Sequence, residues 1–162
     1  HFATLFLAFV DPVRRRLRYS SGGHNAPILR RADGTLLQLD KGGQPLGAFD
    51  FGSYEEETID FGPGDMLFLY TDGLTETVDH ADEEFGTERV ERLLSEHHGI
   101  GAVDLLDIMN AELRAFSGRE QADDDVTLLV LKALHTAAGN PTDDVAYAQR
   151  GLSPLTRAEN ES

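Results

Sequence analysis

The sequence predicts an α+β domain built mainly from antiparallel sheet. Three observations predict it. Short strand-like runs parted by turn residues fill the first 70 residues, two stretches of helical period follow, and one apolar run, Val126 to Leu131, closes the pattern. Strands, then helices, then a strand is the segregated order of α+β proteins, whereas a parallel sheet would alternate the two.

Phe2 to Val10 is apolar except at Thr4 and reads as a buried strand, ended by the Asp11-Pro12 turn. Arg16 to Ser20 sets Leu17 and Tyr19 against basic and polar neighbours, the alternation of a half-exposed strand that pairs back as a hairpin. "SSGGHNAP", residues 20 to 27, is loop by composition. Ile28 to Arg31 is a third strand, Ala32-Asp33-Gly34 a tight turn, and Leu36, Leu37 and Leu39 continue the meander. Residues 41 to 53 hold four glycines and a proline and read as loop. Tyr54 to Phe61 alternates weakly, as an edge strand does. "GPGD", residues 62 to 65, turns the chain into Met66 to Tyr70, a strand buried on both faces.

Beyond Asp72 the period changes. Phe85, Val90, Leu93 and Leu94 fit one helix, with Thr87 as N-cap and Gly99 as stop. Val103, Leu105, Leu106, Ile108, Met109, Leu113 and Phe116 mark a second, closed by Gly118. After about residue 134 the sequence turns polar and aperiodic. Residues 1–134 therefore read as the folded domain and 135–162 as a disordered tail or linker.

A length of 162 residues suits one domain with a real core. The chain carries 29 acidic and 14 basic side chains, a formal net charge of -15. That balance excludes binding to nucleic acid through phosphate contacts and argues against anionic membrane surfaces. It permits divalent cations and cationic partners, and equally plain solubility. The longest apolar run falls far short of the roughly 20 residues that span a bilayer, and no basic segment precedes it as in a signal peptide. The absence of cysteine excludes disulfides and thiolate metal sites and fits a reducing, cytoplasmic setting. The chain opens on His1, directly in a strand pattern, and so reads as a piece of a longer polypeptide.

Two acidic spots adjoin strongly apolar strands. Asp72 lies at the exit of Met66 to Tyr70, and Asp123-Asp124-Asp125 at the entrance of Val126 to Leu131. If those strands are antiparallel neighbours, both spots share one rim of a sheet. Crowded carboxylates raise one another's pKa unless a cation sits among them, and hard oxygen donors select Mg²⁺ or Mn²⁺. Gly73 leaves room beside such an ion for a carbonyl or a water. The plainer alternative is strand-end solvation, since Asp followed by Gly is a common turn.

In chain order, "GDMLFLYTDGLTE", two helices and "DDDVTLLVLK" resemble the metal-dependent PPM serine/threonine phosphatases. The closer likeness is to the bacterial branch that includes the stage II sporulation phosphatase and the Rsb stress-response phosphatases. "FATLFLAFVD", "SSGGHNAPILRR" with Gly23-His24-Asn25, and "GGQPLGAF" match as well, so the resemblance covers roughly residues 2 to 133. It implies a PP2C-like α-β-β-α sandwich of mainly antiparallel sheets with flanking helices, here without its amino-terminal part. It also implies two Mn²⁺ or Mg²⁺ ions, with Asp72, beside Gly73, and Asp124 of Asp124-Asp125-Val126-Thr127 as ligands. Asp125 would orient the loop and Thr127 would hydrogen-bond behind it, while Asp123 lies outside the match. The implied reaction is hydrolysis of phosphoserine or phosphothreonine by a metal-activated water. Its substrate would be a phosphorylated regulatory protein of the anti-sigma-factor antagonist type, in relatives often under an upstream sensor domain.

One departure stands out. The family's earlier G-D-x-x-G-H-G motif, whose Asp bridges both ions, has no match in residues 1 to 162. This chain alone is therefore expected to bind metal weakly or not at all and to turn over little. The alternative is a pseudophosphatase that binds a phosphoprotein or regulator without hydrolysing it.

Four further spots read mainly as structure. His24 and Asn25 could present an imidazole and an amide to the substrate, or could simply cap a rigid turn before Pro27. Arg30 and Arg31 read as a solvated strand face. His97 and His98 end a helix, where a cation suits the dipole. "DHADEEFG", residues 79 to 86, fails the EF-hand spacing and reads as an acidic surface loop.

Overall fold

The computed structural model describes residues 1–49, 52–118, 125–134 and 145–152. In chain order the strands are β1 (Leu5–Asp11), β2 (Arg16–Gly22), β3 (Ile28–Arg30), β4 (Leu36–Gln38), β5 (Gly42–Gly43), β6 (Glu57–Asp60) and β7 (Met66–Tyr70). Three helices follow, α1 (Asp72–Thr75), α2 (Gly86–Glu96) and α3 (Ala102–Ser117), and then β8 (Val126–Ala133) and β9 (Val145–Leu152).

These strands form two sheets. In the first, β2 pairs antiparallel with β1, from Leu5 opposite Gly22 to Asp11 opposite Arg16. Its other side takes β6 antiparallel, Leu17 opposite Ile59, and the short β5 parallel. The second sheet runs β4-β3-β7-β8-β9 with every neighbour antiparallel.

The period of two along β7 and β8 explains why both read as fully apolar. Met66, Phe68, Tyr70, Val126, Leu128 and Val130 face the helices and pack with Leu74, Val90, Leu94, Leu105 and Met109. Leu67, Leu69 and Leu131 face the other way, against Leu17, Tyr19, Phe6 and Val10 of the first sheet. Each strand is thus covered twice, by helices on one side and by the other sheet on the opposite side.

The structure corrects several expectations. β1 is not a buried strand. Phe6 and Val10 pack inward, but Leu7 and Phe9, on the outer row, are 64% and 62% exposed. The expected tail contains a strand, because residues 145–152 form β9 along the whole of β8, from Val126 opposite Leu152 to Ala133 opposite Val145. The backbone ladder supplies that order, and Arg150 adds a 2.8 Å bond to Asp107 of α3. The rest of 135–162 lies outside the described residues. Two glycines of the expected 41–53 loop make β5. Thr87 is not the N-cap of α2, since Phe85 holds that position without a side-chain cap bond, and the helix ends at Glu96, before Gly99. Gly118 does close α3, left-handed at φ 63°, with its N–H donating to the Arg114 carbonyl. Among the described residues no helix is long and apolar enough to cross a membrane.

Candidate active site

β7 and β8 are antiparallel neighbours with Tyr70 opposite Leu128, so the exit of one and the entrance of the other share a rim. Thr71 stitches that rim together. Its backbone N–H donates to the Thr127 carbonyl at 3.1 Å, and its hydroxyl accepts the Thr127 N–H at 2.9 Å. The same hydroxyl donates to the Asp125 carbonyl at 3.1 Å. A hydroxyl both donates and accepts, which suits threonine to this position. Sequence reasoning passed over Thr71. The available signal was a hydroxyl residue at the strand end just before Asp-Gly.

Asp72 opens α1 and is exposed. One carboxylate oxygen accepts the Gly73 N–H at 3.0 Å, and the Asp72 carbonyl accepts the Thr75 hydroxyl at 3.1 Å. Gly73 is glycine for a steric reason. A Cβ there would lie 2.7 Å from the Asp125 carbonyl oxygen, well inside contact distance. The bare Cα thus lets α1 press against the loop that enters β8. The Thr77 hydroxyl fixes the other end of this turn by donating to the Gly73 carbonyl at 2.6 Å.

Of the residues singled out from the sequence, Asp72, Gly73, Asp125 and Thr127 meet at this rim. Thr127 takes part through its backbone N–H and carbonyl. Asp124, like Asp123, lies outside the described residues. His24 is half-buried, and its N–H donates to the Ser21 hydroxyl at 3.2 Å. Burial holds its imidazole below the usual histidine range, and the charge of Asp72 partly opposes that shift, which puts His24 on the Asp72 side of the sheet. Asn25 lines a cleft there with Tyr70 and Thr75.

Asp72 and Asp125 with nearby carbonyls are the hard-oxygen type of donor that suits Mg²⁺ or Mn²⁺. Among the described residues, however, no three carboxylate or imidazole side chains gather into one group. The fit is therefore one of kind rather than of number.

The arginines are not a solvated face. Arg30 is 2% exposed, and its guanidinium donates to the carbonyls of Leu94 and His97 at 3.1 and 2.8 Å, closing the end of α2. Arg31 bonds the carboxylate of Asp65 at 2.9 Å. Asp65 also accepts the N–H groups of Ala32 and Gly62, which makes the "GPGD" turn rigid. In the acidic loop, Asp79 accepts the N–H groups of Ala81 and Glu83, and these bonds hold its carboxyl below the usual range.

Set beside known proteins, residues 1–134 match the family model of stage II sporulation protein E (SpoIIE). The chain belongs to the SpoIIE family. Protein IcfG of Synechocystis sp. is 28% identical over 130 residues, which cover 80% of this chain and 20% of IcfG. The phosphoserine phosphatase RsbU of Bacillus subtilis is 28% identical over 134 residues, covering 81% of this chain and 39% of RsbU. The SiaA-PP2C domain of Pseudomonas aeruginosa superposes with a TM-score of 0.68 at 22% identity, over 78% of this chain and 50% of that one. The fold of this SpoIIE-family chain is that of PP2C phosphatase domains, and the chain spans less than half of either curated relative.

Proposed function

We propose that this SpoIIE-family chain is part of a metal-dependent protein phosphatase that hydrolyses phosphoserine or phosphothreonine on a regulatory protein in bacterial signalling. The observation that carries this reading is the shared rim: Thr71 and Gly73 draw the Asp72 turn against Asp125 at the entrance of β8. Asp72 and Asp124 are the proposed ligands of two Mn²⁺ or Mg²⁺ ions. Such ions supply a hydroxide near neutral pH and stabilise charge on the phosphoryl oxygens. The chain's own residues do the positioning. Thr71 fixes the separation of the two loops, Gly73 permits their close approach, and Asp125 orients the second loop. The His24 imidazole, which burial shifts toward its neutral form against the charge of Asp72, is proposed as a substrate contact on the same side.

The phosphoserine phosphatase RsbU, as a relative, supports this substrate class. A phosphorylated anti-sigma-factor antagonist acted on in the cytoplasm, with an upstream sensor domain, is the setting proposed for the whole protein.

The test is phosphate release from a phosphoserine protein by the full-length protein, with Mn²⁺ and with chelator, for wild type and Asp72→Asn. Loss of residues behind metal ligands already costs roughly 10–100-fold, so loss of a ligand should exceed about 100-fold. Undiminished release by Asp72→Asn would remove that residue from the site. A second reading is a pseudophosphatase that binds a phosphoprotein or regulator without hydrolysing it. Tight phosphoprotein binding without Mn²⁺-stimulated release would select it.

A further inference from the structure

Where β7 passes into α1 lies a cleft of about 230 Å³, lined by Asn25, Ala26, Gln38, Tyr70, Thr75 and Thr87. The loop before β3, the end of β4, the end of β7, α1 and the start of α2 all contribute to it. Its size lies below the roughly 300–1,000 Å³ of pockets for drug-sized ligands and suits one long side chain. Tyr70 and Thr75 stand two and three residues from Asp72 in the chain, so the cleft and that carboxylate share the junction of β7 and α1.

The lining is two amides, two hydroxyls, a phenol and a methyl group, with no cationic side chain. It is therefore poorly suited to phosphate, which is bound by Arg and Lys. A carboxylate adjoins it instead. Gln38 donates its amide to Glu91 at 2.8 Å, which fixes that carboxylate beside the cleft. Glu88 occupies the first turn of α2, offsetting the attraction of the helix start for an anion. The charge of Glu91 reaches the buried Tyr70 phenol in the cleft wall.

We propose that this cleft is the subsite for a basic side chain, lysine or arginine, lying within a few residues of the phosphorylated serine or threonine in the substrate. The proposal rests on the reading of Asp72 as the metal-bearing carboxylate. The amide and hydroxyl oxygens accept the donors of the cation, and Glu91 supplies the countercharge.

The test measures binding to the full-length protein in Mn²⁺ by fluorescence anisotropy, with the phosphoserine replaced by its non-hydrolysable phosphonate. The probes are labelled peptides in which a single lysine, alanine or glutamate is moved through the three positions on either side. A subsite predicts that lysine tightens binding about three- to tenfold at one position and that glutamate there weakens it. Glu91→Gln should abolish the gain at that position. Thr87→Lys, which places a cation in the cleft, should reverse it. Equal gains at all positions would show only attraction to an acidic protein and would overturn the proposal, as would no gain or a gain that survives Glu91→Gln. Hydrolysis of p-nitrophenyl phosphate, which carries no basic side chain, tests the metal reading separately. If release does not respond to Mn²⁺ in the full-length protein, the phosphatase reading fails while the peptide series still decides the subsite.

Discussion

β7 and β1 are both apolar strands, yet Phe68 is fully buried while Phe9 stands 62% exposed. The difference lies in what covers them. β7 has helices on one face and a sheet on the other, whereas β1 has the second sheet on its inner face and an open outer row. Hydrophobicity alone does not report burial. It reports a demand for cover, and among the described residues that demand is met on both faces of the second sheet and on only one face of the first.

The largest test of this contrast pairs the two phenylalanines. Phe68→Ala should cost about 3–5 kcal/mol in urea unfolding, as large core truncations do. Phe9→Ala should change stability by less than about 0.5 kcal/mol, as exposed sites do. A cost of several kcal/mol at Phe9 would mean that its outer row is covered in solution. Arg30→Met comes next. It removes two charge-assisted bonds from the end of α2 and should cost about 1.5–3 kcal/mol, with helix content falling first in the region of α2. Gly73→Ala should cost about 1–3 kcal/mol, because the new methyl must displace the Asp125 carbonyl or the turn itself. If it is neutral by thermal unfolding, the close approach of the two loops is not needed for folding.

The smallest effect concerns pH. In the first sheet, burial and the Glu57 carboxylate beside it push the Tyr19 phenol well above its ordinary 10.0. The folded state therefore holds this proton more tightly than the unfolded chain. Its contribution to stability is complete below about pH 10 and fades as pH rises toward the folded value. Burial shifts Tyr70 of the second sheet the same way. Unfolding midpoints measured from pH 8 to 11 should fall, and should fall less steeply in Tyr19→Phe. An unchanged slope would take Tyr19 out of the alkaline transition.

Much of the rim was legible in the sequence because two apolar runs each meet a carboxylate at one end, and antiparallel pairing brings those ends together. The strand-helix-strand order was legible for the same reason, since period two and period 3.6 differ plainly. Three features were not. β9 is held by a backbone ladder that its polar sequence does not announce. Arg30 is basic on a short strand and looks solvated until the end of α2 is seen against it. The exposure of Leu7 and Phe9 was hidden because an unbroken apolar run gives the same pattern whether one face is covered or two.

The pairing of β9 onto β8 has one more consequence. The two strands that lead to Asp72 and Asp125 are the third and fourth of five, each with a hydrogen-bonded neighbour on both sides. Among the described strands, β4 and β9 are the ones of the second sheet with an edge at which intermolecular strand addition can start. Oligomers seeded that way would leave the strands carrying the proposed chemistry undisturbed.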